Sequence, residues 1–146
     1  MKLAVIDASV AVKWFVNEAD SDAASGLLVA PVTFHAPQLL LLEVASALCK
    51  NAARGFVPSA VWEKARPELG RSIDRWHTTE HLLSDAFQIA SDLKHPIYDC
   101  VYLALARNLA TVCVTADVRL LKKLAGSPYA RLARELKNID AAEDSL

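Results

Sequence analysis

The hydrophobic pattern opens on a short unbroken apolar run, Leu3-Ala4-Val5-Ile6, of the kind carried by a strand buried on both faces. Asp7-Ala8-Ser9 follows, and a helical pattern runs to about Phe15. Residues 17–21 break it, and 22–29 form a second short helix. Between Pro31 and Pro37 there is room for one short strand at Thr33-Phe34-His35. Residues 38–53 read as a strong helix, rich in Leu and Ala, with Lys50 and Arg54 at its end and Gly55 as its stop. Pro58 suits the first turn of the next helix, and Pro67 is expected to kink or split that helix before Trp76. A short strand at His77-Thr78-Thr79 precedes helices over 82–94 and, opened by Pro96, over 97–108. Thr111-Val112-Cys113-Val114-Thr115 is a β-branched strand. Asp117 begins a helix through Leu124, which Gly126-Ser127-Pro128 ends. The last stretch reads two ways: ARLARELKN has helical spacing, and an edge strand fits at 137–139.

Short strands alternating with helices imply a parallel sheet covered on both faces. No repeat, low-complexity tract or long linker divides the chain, so residues 1–146 are expected to form a single domain. Hydrophobic residues make up 53% and charged residues 23%, which excludes a disordered chain. No apolar run reaches the roughly 18 residues of a membrane span, and the start is too polar for a signal peptide. The expectation is a soluble, cytoplasmic protein. Cys49, Cys100 and Cys113 are odd in number and lack metal-ligand spacing, so they read as buried free thiols. The histidines His35, His77, His81 and His95 also lack ligand spacing and read as surface or satisfied polar groups.

Net charge is −1, but unevenly spread: −3 over 1–49, +3 over 50–75, −2 over 76–116, +4 over 117–137 and −3 over 138–146. Acidic regions beside basic ones suit a metal site that serves a polyanion; ordinary solvated helix faces give the same pattern.

Four acids stand in awkward places. Asp7 follows the first strand, where open parallel sheets bind ligands, though it would also serve as a helix N-cap. Glu43 interrupts the apolar Leu39-Leu40-Leu41-Leu42 and Val44-Ala45, where an unpaired carboxylate is costly unless it lies on a narrow polar stripe with Ser46 and Lys50. Asp99 interrupts a second apolar helix, or complements its dipole from the first turn. Asp117 follows the β-branched strand and is again a possible N-cap. Gathered together, four carboxylates would repel and raise one another's pKa values. A hard divalent cation with oxygen ligands, Mg²⁺ or Mn²⁺, relieves that repulsion and can activate water against a phosphate.

VIDASVAVKWF, the Glu in LLLLEVASAL, IYDCVYLALA and VTADVRLLKKL, in this order, resemble the PIN-domain family, and within it the VapC-type toxins of toxin–antitoxin pairs. The resemblance covers nearly the whole chain. It implies an α/β/α sandwich with a short parallel central sheet and a Mg²⁺- or Mn²⁺-dependent endoribonuclease. It assigns Asp7, Glu43, Asp99 and Asp117 as catalytic metal ligands and Ser9 and Thr115 as hydroxyls that support them. Arg119, Lys122 and Lys13 lie near these motifs as candidates for RNA binding, against the alternative of solvated helix faces. The family also implies an antitoxin partner and a homodimer. The region containing Phe56, Val61 and Trp62 often contacts the antitoxin in such proteins; routine helix-hairpin packing is the alternative and the reading the sequence favours.

Three other readings compete. A haloacid-dehalogenase-type phosphatase expects an acid two residues after the first, where this chain has Ser9. A phospho-accepting receiver expects an Asp after a central strand, which His77-Thr78-Thr79-Glu80 does not offer. A catalytically silent PIN-like scaffold that binds RNA or protein would keep the fold without the cut.

Overall fold

A computed structural model describes residues 2–139; the two ends of the expected 1–146 unit lie outside them. Five strands, β1 (Lys2–Ile6), β2 (Val32–Pro37), β3 (Arg75–His77), β4 (Cys113–Thr115) and β5 (Ala133–Glu135), pair in the order β3-β2-β1-β4-β5, all parallel. The helices are α1 (Ala8–Ala11), α2 (Ser21–Leu27), α3 (Leu39–Ala53), α4 (Val61–Ser72), α5 (Leu83–Leu93), α6 (Ile97–Asn108) and α7 (Val118–Leu124).

The strand order places the site. From β1 the chain steps outward to β2 and β3, then returns past β1 to β4 and β5. The direction of winding therefore reverses between β1 and β4, and the crevice beyond their carboxyl ends is where such sheets take ligands. Both ends carry acids, Asp7 after β1 and Asp117 after β4. Right-handed crossovers put helices on opposite faces before and after the reversal. In agreement, α3 packs on β2 and α1, while α6 crosses β1, β2 and β4.

Helix α6 explains its own composition. Seven consecutive residues from Cys100 to Ala106 are buried, so no polar face is needed. Truncating Leu103, fully buried, would cost about 2–5 kcal/mol.

Several expectations are corrected. Pro58 lies outside α4, in the turn before it, where its carbonyl accepts from Val61 N. Pro67 does not split α4, which continues to Ser72. The third strand begins at Arg75, and Thr79 instead opens a 3-10 turn. The last strand is at Ala133–Glu135, and residues 137–139 fall in and after a 3-10 turn. Cys49 is exposed, unlike Cys100 and Cys113. Gly55 ends α3 as expected, with φ 76 in the left-handed region that glycine tolerates. Val61 and Trp62 pack on the core, whereas Phe56 is 68% exposed.

Candidate active site

Asp7 is the centre of the crevice. It is 4% exposed, and both carboxylate oxygens are committed. Oδ1 accepts from the Ala8 backbone N–H at 2.9 Å, capping α1. Oδ2 accepts from the Ser9 hydroxyl at 2.6 Å and from the Thr115 hydroxyl at 2.7 Å. Ser9 Oγ in turn accepts from Ala116 N at 2.9 Å, and Thr115 Oγ1 accepts from Asp117 N at 3.0 Å. The two hydroxyls thus staple the end of β1 to the end of β4. Burial pushes the Asp7 carboxyl up to about 6, against the two hydroxyls that lower it, and the Asp99 charge adds to the rise.

Glu43 reaches the same crevice from α3. Its Oε1 accepts from the buried Tyr102 hydroxyl of α6 at 2.6 Å. Desolvation raises its pKa, Tyr102 opposes the rise, and the charges of Asp7 and Asp99 reinforce it. Asp99 thus acts on Asp7, and both act on Glu43, three of the four acids singled out from sequence.

Asp99 stands in the first turn of α6 and bonds His95 Nε2 at 2.6 Å. His95 is held by the end of α5. Lys94 turns left-handed at φ 51, and His95 N donates back to Ala90 O at 3.1 Å. This six-to-one closure is a Schellman motif. Asp117 caps α7, its Oδ1 accepting from Arg119 N at 2.9 Å and Leu120 N at 3.2 Å.

The cap reading holds for both Asp7 and Asp117, which follow the neighbouring strands β1 and β4; the Asp117 carboxylate is engaged by its own helix. Each acid has a partner of its own, and among the described residues no three His, Cys, Asp or Glu side chains converge on one metal position. The donor chemistry nevertheless fits a hard cation. Carboxylates and hydroxyls supply only oxygen, and the buried Asp7 carboxylate is destabilised by burial and a like charge.

The cationic candidates are less well placed. Arg119 and Lys122 lie exposed on α7, and Lys13 is tied to Glu18 Oε1 at 3.1 Å and Ala19 O at 2.8 Å. None forms an ion pair with the four acids among the described residues. Two residues not assigned to the site from sequence bond its acids: His95, there read as a surface or satisfied polar group, and Tyr102. They stand at i−4 and i+3 from Asp99, and that spacing was the available signal. Burial raises the Cys113 thiol well above its usual range and Cys100 to about 11, so neither is a nucleophile.

The PIN-domain family model matches residues 4–127. This chain belongs to the PIN-domain family. It is 33% identical over 127 residues to Ribonuclease VapC3 of Pyrobaculum aerophilum, spanning 84% of this chain and 95% of that protein. The fold is similar to the crystal structure of PAE2754 from Pyrobaculum aerophilum, with TM-score 0.68 and 21% identity over 93% of this chain and 85% of that one. It is also similar to a toxin–antitoxin complex from Klebsiella pneumoniae, with TM-score 0.62 and 14% identity over 93% of this chain and 99% of that one. The five-stranded parallel sheet and its helices are the α/β/α sandwich of this family, not a haloacid-dehalogenase fold.

Proposed function

We propose that this PIN-domain chain is a metal-dependent endoribonuclease and the toxin of a VapC-type toxin–antitoxin pair. One observation carries the reading: a buried Asp7 at the winding reversal, within electrostatic reach of Glu43 and Asp99, in an all-oxygen site. The 33%-identical relative named Ribonuclease VapC3 supports the substrate class.

Asp7, Glu43, Asp99 and Asp117 would hold Mg²⁺ or Mn²⁺. When bound, the ion supplies an activated water and neutralises charge on the phosphate. The chain's own groups do the positioning. Ser9 and Thr115 fix the Asp7 carboxylate in one orientation, and His95 fixes Asp99. Tyr102 holds Glu43 Oε1, which leaves Oε2 to accept a proton from the attacking water.

Among the described residues no helix is long and apolar enough to cross a membrane. A single domain over 1–146, a cytoplasmic site of action, a homodimer and an inhibitory antitoxin complete the proposal. The test is cleavage of RNA in metal-free buffer, with excess EDTA and then with Mg²⁺ or Mn²⁺ restored. Cleavage should vanish in EDTA and return with either ion. Undiminished cleavage in EDTA rules the mechanism out. RNA binding without cleavage under any of these conditions leaves a silent scaffold.

A further inference from the structure

We infer that a cleft along the C-terminal half of α3 is the track of the substrate strand, with Lys50 and Arg54 gripping successive phosphates on one side of the cut. This rests on the ribonuclease reading. Two depressions meet on α3. One is lined by Glu43, Ser46, Ala47, Lys50, Asn51 and Arg54. The other holds Ser9, Lys13 and Ala116 and shares Glu43, Ala47 and Asn51 with the first. Sharing these residues, they run together past Glu43, beside Ser9 and Ala116 at the ends of β1 and β4, and on along one face of α3.

The spacing suits a polyanion. Glu43 and Lys50 are seven residues apart, two turns and about 10 Å along the helix. Lys50 and Arg54 are four apart, on one face and about 6 Å from each other, comparable to the separation of successive phosphates on a strand. Both side chains are exposed, and among the described residues neither is ion-paired. Lys13, at the other end of the groove, is already neutralised by Glu18. Ser46 adds a hydroxyl between Glu43 and Lys50, while the Asn51 amide is turned back onto Ala47 O at 2.9 Å. The competing account makes Lys50 and Arg54 complements of the α3 dipole, which forecasts a small stability loss and no change in RNA binding.

The experiment uses Lys50→Gln, Arg54→Gln and the double variant. Binding of a labelled single-stranded RNA oligonucleotide is followed by fluorescence anisotropy over a range of salt. Asp7→Asn prevents cutting, or EDTA does so in the parent if that variant fails to fold. Each substitution should lower the slope of log affinity against log salt by about 0.7, and the double variant by about 1.4. With the cutting enzyme, KM should rise severalfold while kcat stays within a factor of about two, the signature of lost uniform binding. Arg131→Gln, in a depression at the opposite end of the sheet with Leu3 and Thr111, should leave both unchanged.

Unchanged slope and KM in the double variant, in a parent that still cuts, overturn the track and leave the ribonuclease reading standing. The same result with weakened binding of an oligoglutamate peptide hands the cleft to an acidic protein segment and also overturns it. A parent that never cuts, yet binds RNA with a slope dependent on Lys50 and Arg54, keeps the track and overturns the ribonuclease reading.

Discussion

Tyr102 donates its hydroxyl to Glu43 Oε1 at 2.6 Å, joining residues 59 apart in sequence across α6 and α3. Burial holds the phenol well above its usual pKa, so it remains a donor at any working pH. Tyr102 shares a helix face with Asp99, so α6 carries one of the proposed site acids and holds a second through Tyr102. Tyr102→Phe keeps the ring and removes the donor. The Glu43 carboxylate then keeps its desolvation and loses its compensation, so its pKa climbs further. Stability at neutral pH should fall by about 1.5–3 kcal/mol, the worth of a hydrogen bond to a charged group. The acid limb of the pH–rate profile should move to higher pH. Chemical denaturation and the profile check both, and an unmoved acid limb would remove Glu43 from the proton chemistry.

Asp7 makes stability depend on pH in an unusual direction. The unfolded carboxyl loses its proton near 3.8 and the folded one near 6, so between these values the folded state binds more protons. Stability therefore falls as pH rises through about 4 to 6, by roughly 2–4 kcal/mol, and is flat above. The raised Glu43 acts in the same sense. Melting in EDTA should give a higher Tm near pH 4.5 than at pH 7.5, and Asp7→Asn should flatten the difference. Mg²⁺ should restore Tm at pH 7.5, because binding the folded state alone stabilises it. A parent Tm that rises steadily over this window in EDTA would contradict the assignment.

Ser9 and Thr115 share one acceptor, Asp7 Oδ2, and lie 3.3 Å apart. Thr115→Val and Ser9→Ala each leave the carboxylate with a single hydroxyl donor. Each should cost about 1.5–3 kcal/mol and raise the Asp7 pKa further. A double-mutant cycle should show coupling of about 0.5 kcal/mol or more, since both act on one buried charge. Strict additivity in urea denaturation would mean that the two hydroxyls act separately.

His95 bonds Asp99 at 2.6 Å, and under the proposed function it would orient that carboxylate toward the ion. His95→Ala should weaken Mg²⁺ or Mn²⁺ binding or cleavage by about 10–100-fold with the fold retained. Asp99→Asn removes a charge as well and should lose most cleavage. The metal-dependent rise in Tm reports binding independently of turnover. If Asp99→Asn cut RNA like the parent and melted slightly lower, Asp99 would be only the first-turn complement of the α6 dipole.

Much of the molecule was legible in its sequence. The bounds of α6 coincide with the stretch read from its pattern, because Pro96 marks its start and a long apolar helix has few alternatives. The unbroken apolar run of β1 and the β-branched β4 announced central parallel strands, and the acids after them marked the candidate site. The last strand was misplaced because three residues of edge strand carry too little periodicity to compete with helical spacing in ARLARELKN. Pro67 was misjudged for a related reason: local propensity forecasts a break, but α4 is held by packing, with Ala65 and Leu69 buried on either side.

The sequence by itself therefore determined which residues could do chemistry, since a carboxylate inside an apolar run is costly wherever the chain goes. It did not determine their partners. That Asp7 meets Thr115 across 108 residues, that Glu43 meets Tyr102, and that Lys13 is spent on Glu18 while Lys50 and Arg54 line the groove, depends on which strands and helices become neighbours. Hydrogen bonds and charge interactions act over a few ångströms of space, and strand order and helix packing set which residues share that space.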